Sequence, residues 1–94
     1  MTGVSGAELH IASCVAFVKP DEMEGICRAI SATKLAEIPR RDPAGKLVLL
    51  FEARNAKSVL DGIDAIRALP GVLAVHLAYQ HIEDATALEE EHQP

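Results

Sequence analysis

Apolar side chains recur along this chain with two spacings, one typical of β-strands and one typical of helices. Strand-like segments are predicted at residues 10–18, 34–38, 46–53 and 72–82. Two helical stripes lie between them, with apolar residues three or four positions apart: Met23, Ile26, Cys27 and Ile30, and then Val59, Leu60, Ile63 and Ile66. The predicted order of elements is therefore βαββαβ.

Residues that typically begin and end such elements support this order. Asp21 is predicted to cap the first helix, with Glu24 completing a capping box, and Asn55 is predicted to cap the second. Pro39 suits the edge of a sheet, where no backbone donor is needed. Residues 39–45 are predicted to form the turn between the second and third strands.

This order is that of the ferredoxin-like α+β sandwich, in which a four-stranded antiparallel sheet carries two helices on one face. The first and third strands are expected in the centre of the sheet, and the second and fourth at its edges. We assign residues 10–82 to this domain. Residues 1–9 are expected to be a flexible N-terminus and residues 83–94 a flexible acidic tail, since neither has a sustained apolar pattern.

Two of the segments are apolar on both faces of the predicted strand. They read AGKLVLLFEA at residues 44–53 and PGVLAVHLAYQ at residues 70–80. A strand covered on one face alternates apolar and polar residues, so a nearly continuous apolar run indicates that both faces meet apolar surroundings. Because the two helices cover only one face, the sequence predicts a partner for the other, which we call the open face.

Side-chain alternation assigns each strand residue to one of the two faces. Toward the helices we place Ala12, Cys14, Ala16, Val18, Leu47, Leu49, Phe51, Val75, Leu77 and Tyr79. The open face is predicted to carry Ile11, Ser13, Val15, Phe17, Val48, Leu50, Glu52, His76, Ala78 and Gln80. The first strand is apolar on both sides, and a one-residue slip would invert its assignment. An amphipathic helix fits such a face, and so does a second copy of the sheet.

Composition narrows the choice of partner. The chain has 94 residues, a net charge of −5, one Tyr, two Phe and no Trp, which argues against nucleic acid and favours a partner with positive charge.

Cys14 and Cys27 have no CxxC spacing and are read as reduced thiols of a cytosolic protein, although a bridge between them is left open. Neither a basic leader nor an apolar run of about 20 residues is present, so cytoplasmic localisation without membrane insertion is expected.

The AGKLVLLFEA hairpin, the capped helix after it and the GVLAVHLAYQ strand with its acidic tail resemble the NapD family. Members of that family are cytoplasmic chaperones of periplasmic nitrate reductase. The resemblance covers the whole folded part of the chain, and its most specific piece is Gly71 to Gln80.

The resemblance implies a partner and a role. Such chaperones bind the twin-arginine signal peptide of the catalytic subunit, which is helical when bound, and restrain export until the molybdenum cofactor is inserted. The chain is expected to be a monomer or weak homodimer. The alternative is a small-ligand-sensing or dimerisation module of the same topology.

Other kinds of chemistry have little support in the sequence. Ser13, Ser31 and Ser58 lack the motif of a catalytic nucleophile, so no enzyme is expected. Antiparallel pairing of the outer strands would bring His10 near His81, but two imidazoles without a third ligand do not make a metal site, and no metal or cofactor is predicted.

Overall fold

The computed structural model describes residues 8–84, which form the predicted βαββαβ order. Its elements are β1 (Glu8–Val18), a 3₁₀ turn (Pro20–Glu22), α1 (Met23–Thr33), β2 (Glu37–Asp42), β3 (Lys46–Ala53), α2 (Ala56–Arg67) and β4 (Val72–Asp84). β1 and β4 each extend the predicted domain by two residues. The remainder of the two predicted flexible segments, 1–7 and 85–94, lies outside the described residues.

The strands form one antiparallel sheet in the order β2-β3-β1-β4. This order confirms the ferredoxin-like α+β fold, with the first and third strands in the centre and the second and fourth at the edges. The apolar residues of both helices and one face of the sheet form a single core. The open face therefore has no covering element among the described residues.

Alternation identified the helix-facing residues of the two central strands correctly. On β1 and β3 these positions are fully or almost fully buried: Ala12, Cys14, Ala16, Val18, Leu47, Leu49 and Phe51. They pack against the predicted stripe of α1 and against three of the four predicted residues of α2; the fourth, Leu60, is exposed. The intervening side chains of β1 and β3 must consequently lie on the open face.

The predicted position of the second strand was wrong by about three residues. Lys34, placed at its start, instead ends α1 in the left-handed conformation, with φ of 59°. Arg40 and Arg41, placed in a turn, pair with Val48 and Leu47 in β2. A shift in register between Glu37 and Arg40 accommodates the proline between them, as is common on an edge strand.

The turn lies further along the chain because Asp42 organises it. Its Oδ1 accepts a hydrogen bond from the Ala44 N–H at 2.9 Å, and its carbonyl accepts one from the Gly45 N–H, also at 2.9 Å. Gly45 has φ of 111° and its backbone lies against the Val18 carbonyl, so no side chain fits there. These local bonds favour a turn at residues 43–45 over one beginning at Pro39.

Only one of the two predicted helix caps is formed. The Asn55 Oδ1 accepts a hydrogen bond from the Ser58 N–H at 2.7 Å, which confirms the cap of α2. The capping box at Asp21 is absent, because Pro20–Glu22 form a 3₁₀ turn and α1 begins at Met23 without a side-chain cap. Pro20 suits the first position of such a turn since it has no N–H to satisfy.

Candidate functional site

The open face is built from rows of side chains that run across β3, β1 and β4. Strand pairing sets each row, because directly opposed residues in an antiparallel sheet point to the same side. The rows are Lys46, Phe17 and Ala74; Val48, Val15 and His76; Leu50, Ser13 and Tyr79; and Glu52, Ile11 and His81. Aliphatic side chains fill the centre, and charged residues lie toward the ends.

Eight of the ten residues predicted for this face lie on it. Ile11, Ser13, Val15, Val48 and Leu50 are half-buried, while Phe17, Glu52 and His76 are exposed. The Phe17 and His76 rings meet edge to face with centroids 6.0 Å apart, which fixes them on the same side of the sheet. The prediction that large side chains of β1 face away from the helices is confirmed.

A β-bulge in β4 makes the assignment of Gln80 wrong and leaves Ala78 without a paired residue that would test its assignment. Cys14 pairs with Leu77 but the preceding Ser13 pairs with Tyr79, so Ala78 is an extra residue without a partner on β1. Beyond this point the side chains of β4 exchange faces. Gln80, predicted on the open face, lies opposite the buried Ala12, and Tyr79, predicted beneath the helices, lies on the open face.

Sequence reasoning therefore missed two rings of the open face, those of Tyr79 and His81. The rings stack with centroids 6.0 Å apart at an interplanar angle of 19°, and Tyr79 is 58% exposed. His81 Nε2 lies 2.9 Å from Oε2 of Glu83. The sequence did not reveal these two rings, because Val75, Leu77 and Tyr79 alternate as in a regular strand and the pattern gives no sign of a bulge.

Charged residues occupy opposite ends of the face along the β2–β3 hairpin. At one end, Glu37 and Glu52 line a depression of about 530 Å³ that has Leu50 in its wall. At the other, Arg40 and Lys46 line a second depression, of about 540 Å³. Arg40 pairs with Val48 of the open face, whereas the adjacent Arg41 turns to the helix side and lies 3.5 Å from Glu24 of α1.

Two thiols lie in the core of residues 8–84, one on the sheet and one on α1. Cys14 and Cys27 are both buried and unbridged. Burial raises the pKa of the Cys14 thiol above its ordinary value, against a smaller opposing effect of the Arg67 guanidinium. The thiol is thus held protonated, which is the unreactive form.

The two histidines considered as a metal pair point to opposite faces. His10 pairs with Ile82 and its Nε2 lies 3.4 Å from Glu8, while His81 pairs with Ile11 on the open face. Across residues 8–84 no group of three or more His, Cys, Asp or Glu side chains is arranged to hold a metal ion. Within the same residues, neither helix has the length and apolar content needed to cross a bilayer.

Comparison with known proteins assigns the chain to a family. The model of the family described as NapD protein matches residues 9–84. The chain belongs to the NapD family. Chaperone NapD of Escherichia coli K12 is 29% identical over 76 residues, covering 80% of this chain and 87% of the relative. The chaperone of the same name from Shigella flexneri gives the same values.

One solved structure agrees with this assignment to the NapD family, and two others share the fold. The solution structure of the Escherichia coli Tat proofreading chaperone NapD superposes with a TM-score of 0.72 at 28% identity, covering 81% of each chain. The structured domain of Drosophila melanogaster Boca, with a TM-score of 0.53, is 12% identical over 76% of this chain and 99% of its own. The ACT domain of a Chlorobium tepidum GTP pyrophosphokinase, with a TM-score of 0.50, is 17% identical over 77% and 88%. The last two show a shared fold alone.

Proposed function

We propose that this NapD-family chaperone binds the twin-arginine signal peptide of the catalytic subunit of periplasmic nitrate reductase on its open face. Binding takes place in the cytoplasm and restrains export until the molybdenum cofactor has been inserted. Two findings support this role: membership of a family of chaperones and a structural relative described as a Tat proofreading chaperone.

The observation that carries the proposal is an uncovered apolar strip beside charged ends. Val15, Phe17, Val48 and Leu50 form its centre, and neither helix of residues 8–84 covers them. A signal peptide has the matching parts, an apolar segment and a pair of arginines. A helix laid in an apolar groove is a common mode of peptide recognition.

The size of the strip is compatible with useful affinity. Burying about 400 Å² of apolar surface is worth roughly 10 kcal/mol before the costs of association, at about 25 cal/mol per Å². Association and side-chain ordering cost about 4–15 kcal/mol, so at the low end of these costs about 6 kcal/mol remains, which corresponds to a dissociation constant of tens of micromolar. Arginine pairing on an exposed rim contributes only about 0–1 kcal/mol per pair, and acts chiefly on orientation and association rate.

Tyrosine fluorescence offers a direct test, because Tyr79 lies on the open face and the chain has one Tyr and no Trp. A synthetic peptide with two arginines and an apolar stretch, but no aromatic residue, is titrated into the protein. We expect a saturable change with one peptide bound per chain, and none with a peptide whose apolar residues are replaced by Ser and Gln. If calorimetry detects no binding to the native sequence, the proposed function is wrong.

Export restraint needs a second measurement in cells. The signal peptide is fused to a reporter protein and its arrival in the periplasm is followed with and without this chain. Slower arrival is expected with the chain, and the delay should disappear when the chain carries Val48→Asp on its open face at matched expression. If the chain binds the peptide in vitro but the rate of arrival is unchanged, the chain binds signal peptides without restraining export, and that part of the proposal is wrong.

A further inference from the structure

The open face has opposite charges at its two ends, and both strands of the β2–β3 hairpin contribute to each end. Glu37 pairs with Leu50 and lines the same depression as Glu52, which lies two residues further along β3. Arg40 pairs with Val48, two residues from Lys46 in the other direction. The polarity of the face is thus fixed by strand register and not by one mobile side chain.

Neighbouring charges reduce this polarity without removing it. Lys34 lines the same depression as Glu37 and Glu52, so the acidic end keeps an excess of one carboxylate there. At the basic end Asp42 pairs with Lys46, but one of its carboxylate oxygens is engaged by the Ala44 N–H at 2.9 Å. Glu83 adds a carboxylate opposite Leu9, at the acidic end of β1.

The acidic depression suits an arginine side chain in shape as well as charge. Leu35 and Leu50 form apolar walls of the space of about 530 Å³ that Glu37 and Glu52 line. An arginine can lay its methylene stem along apolar surface while its planar guanidinium donates to carboxylates. The basic depression of about 540 Å³ is lined by Arg40, Arg41 and Lys46 and by one carboxylate, that of Asp42, so its excess of positive charge would repel the same side chain.

We propose that the open face is directional: the bound helix places its arginine-bearing N-terminus at Glu37 and Glu52 and runs along β3 and β1 toward Phe17 and Lys46. This inference rests on the proposed function. The helix dipole favours the same orientation, since its positive N-terminus then lies near carboxylates and its negative C-terminus near Lys46. Glu52 and Lys46 are six residues apart on β3, about 20 Å, which matches roughly thirteen residues of helix.

Spin-labelled peptides distinguish the two orientations directly. A peptide with two adjacent arginines and a following apolar segment carries a nitroxide at its N-terminus or, separately, at its C-terminus, and amide signals of ¹⁵N-labelled protein are recorded. We expect the N-terminal label to broaden the signals of Glu37 and Glu52, and the C-terminal label those of Phe17 and Lys46. The reverse pattern, or equal broadening at both ends, overturns the orientation while the proposed function stands. Absence of any binding overturns both.

Charge reversal provides an independent arm with a matched control. Glu52→Lys should lower the affinity for the arginine peptide about three- to tenfold at low salt. For a peptide with Gln in place of both arginines, the same substitution should lower the affinity by less than about twofold. Asp21→Lys changes the net charge equally but lies in the exposed 3₁₀ turn before α1, and should leave both affinities unchanged. Equal losses for the two peptides, or equal losses in the two variants, contradict an arginine subsite at Glu52.

Discussion

Two adjacent residues of β3 allow the open face to be tested against the core. Val48 is half-buried on the open face, and Leu49 is completely buried beneath the helices, with 0% exposure. Asp introduced at either position adds the same charge to the same strand. Any difference between Val48→Asp and Leu49→Asp therefore reports the surroundings of the side chain and not the chemistry of the substitution.

The two variants are expected to differ by several kcal/mol in the free energy of unfolding. Leu49→Asp loses a packed side chain, worth about 2–5 kcal/mol, and leaves a carboxylate without a partner in the core. A domain of this size has only about 5–15 kcal/mol of stability, so this variant should unfold. Val48→Asp keeps its carboxylate hydrated in the free protein and should cost about 1 kcal/mol, the range of strand propensities.

Val48→Asp, which should have little effect on folding, is expected to weaken peptide binding strongly. A helix on the open face would remove water from the new carboxylate, at a cost of about 1–3 kcal/mol or more, so affinity should fall about fivefold or more. Circular dichroism melts report folding, and calorimetric titration of the peptide reports binding. If Leu49→Asp folds while Val48→Asp does not, the face assignment is inverted. If Val48→Asp folds and binds the peptide with unchanged affinity, the open face is not the binding site.

Two further predictions concern stability. Asn55→Ala should lower the free energy of unfolding by about 1 kcal/mol, because the Ser58 N–H loses the acceptor that caps α2. Asn55→Asp keeps an acceptor oxygen and should keep the stability. Equal chemical-denaturation midpoints for the wild type and the two variants would contradict the role of the cap. The pKa of the Cys14 thiol is raised on folding, so the stability linked to that group is complete below its ordinary value of 9.0 and is lost as the pH rises toward the folded-state pKa. Above pH 9.0 the unfolding free energy should therefore fall more steeply in the wild type than in Cys14→Ala, and parallel pH profiles would show that the thiol does not contribute.

The central strands could be predicted from the sequence because their pattern and their surroundings agree. On β3 the polar residues Lys46 and Glu52 mark the open side, and on β1 the small residues Ala12 and Ala16 suit positions beneath helices. Burial on one face leaves little freedom, since a slip of one residue would expose the whole apolar set. The helices were located for the same reason, by apolar stripes that match the core.

The edge strand β2 could not be predicted because little of it is buried. Five of its six residues are exposed, so no alternation distinguishes it from a loop. Local preference placed the turn at Pro39, but pairing of Arg40 and Arg41 with β3 continues the strand past it. Since an edge strand needs backbone bonds on one side only, the proline is tolerated and the tertiary contact prevails. The error mattered for the site, because it concealed Arg40 as part of the open face.

The bulge at Ala78 is what gives the open face two unlike halves. A regular β4 would have placed Tyr79 on the helix side of the sheet and Gln80 on the open face. By shifting the register, the bulge brings the Tyr79 and His81 rings to the side that already carries Phe17 and His76. Aromatic surface thus lies along β1 and β4, and most of the charged groups lie along the β2–β3 hairpin. A helix placed between them can bury one apolar side against the rings while its flanking arginines reach the carboxylates, so the two contributions to recognition do not compete for the same part of the sheet.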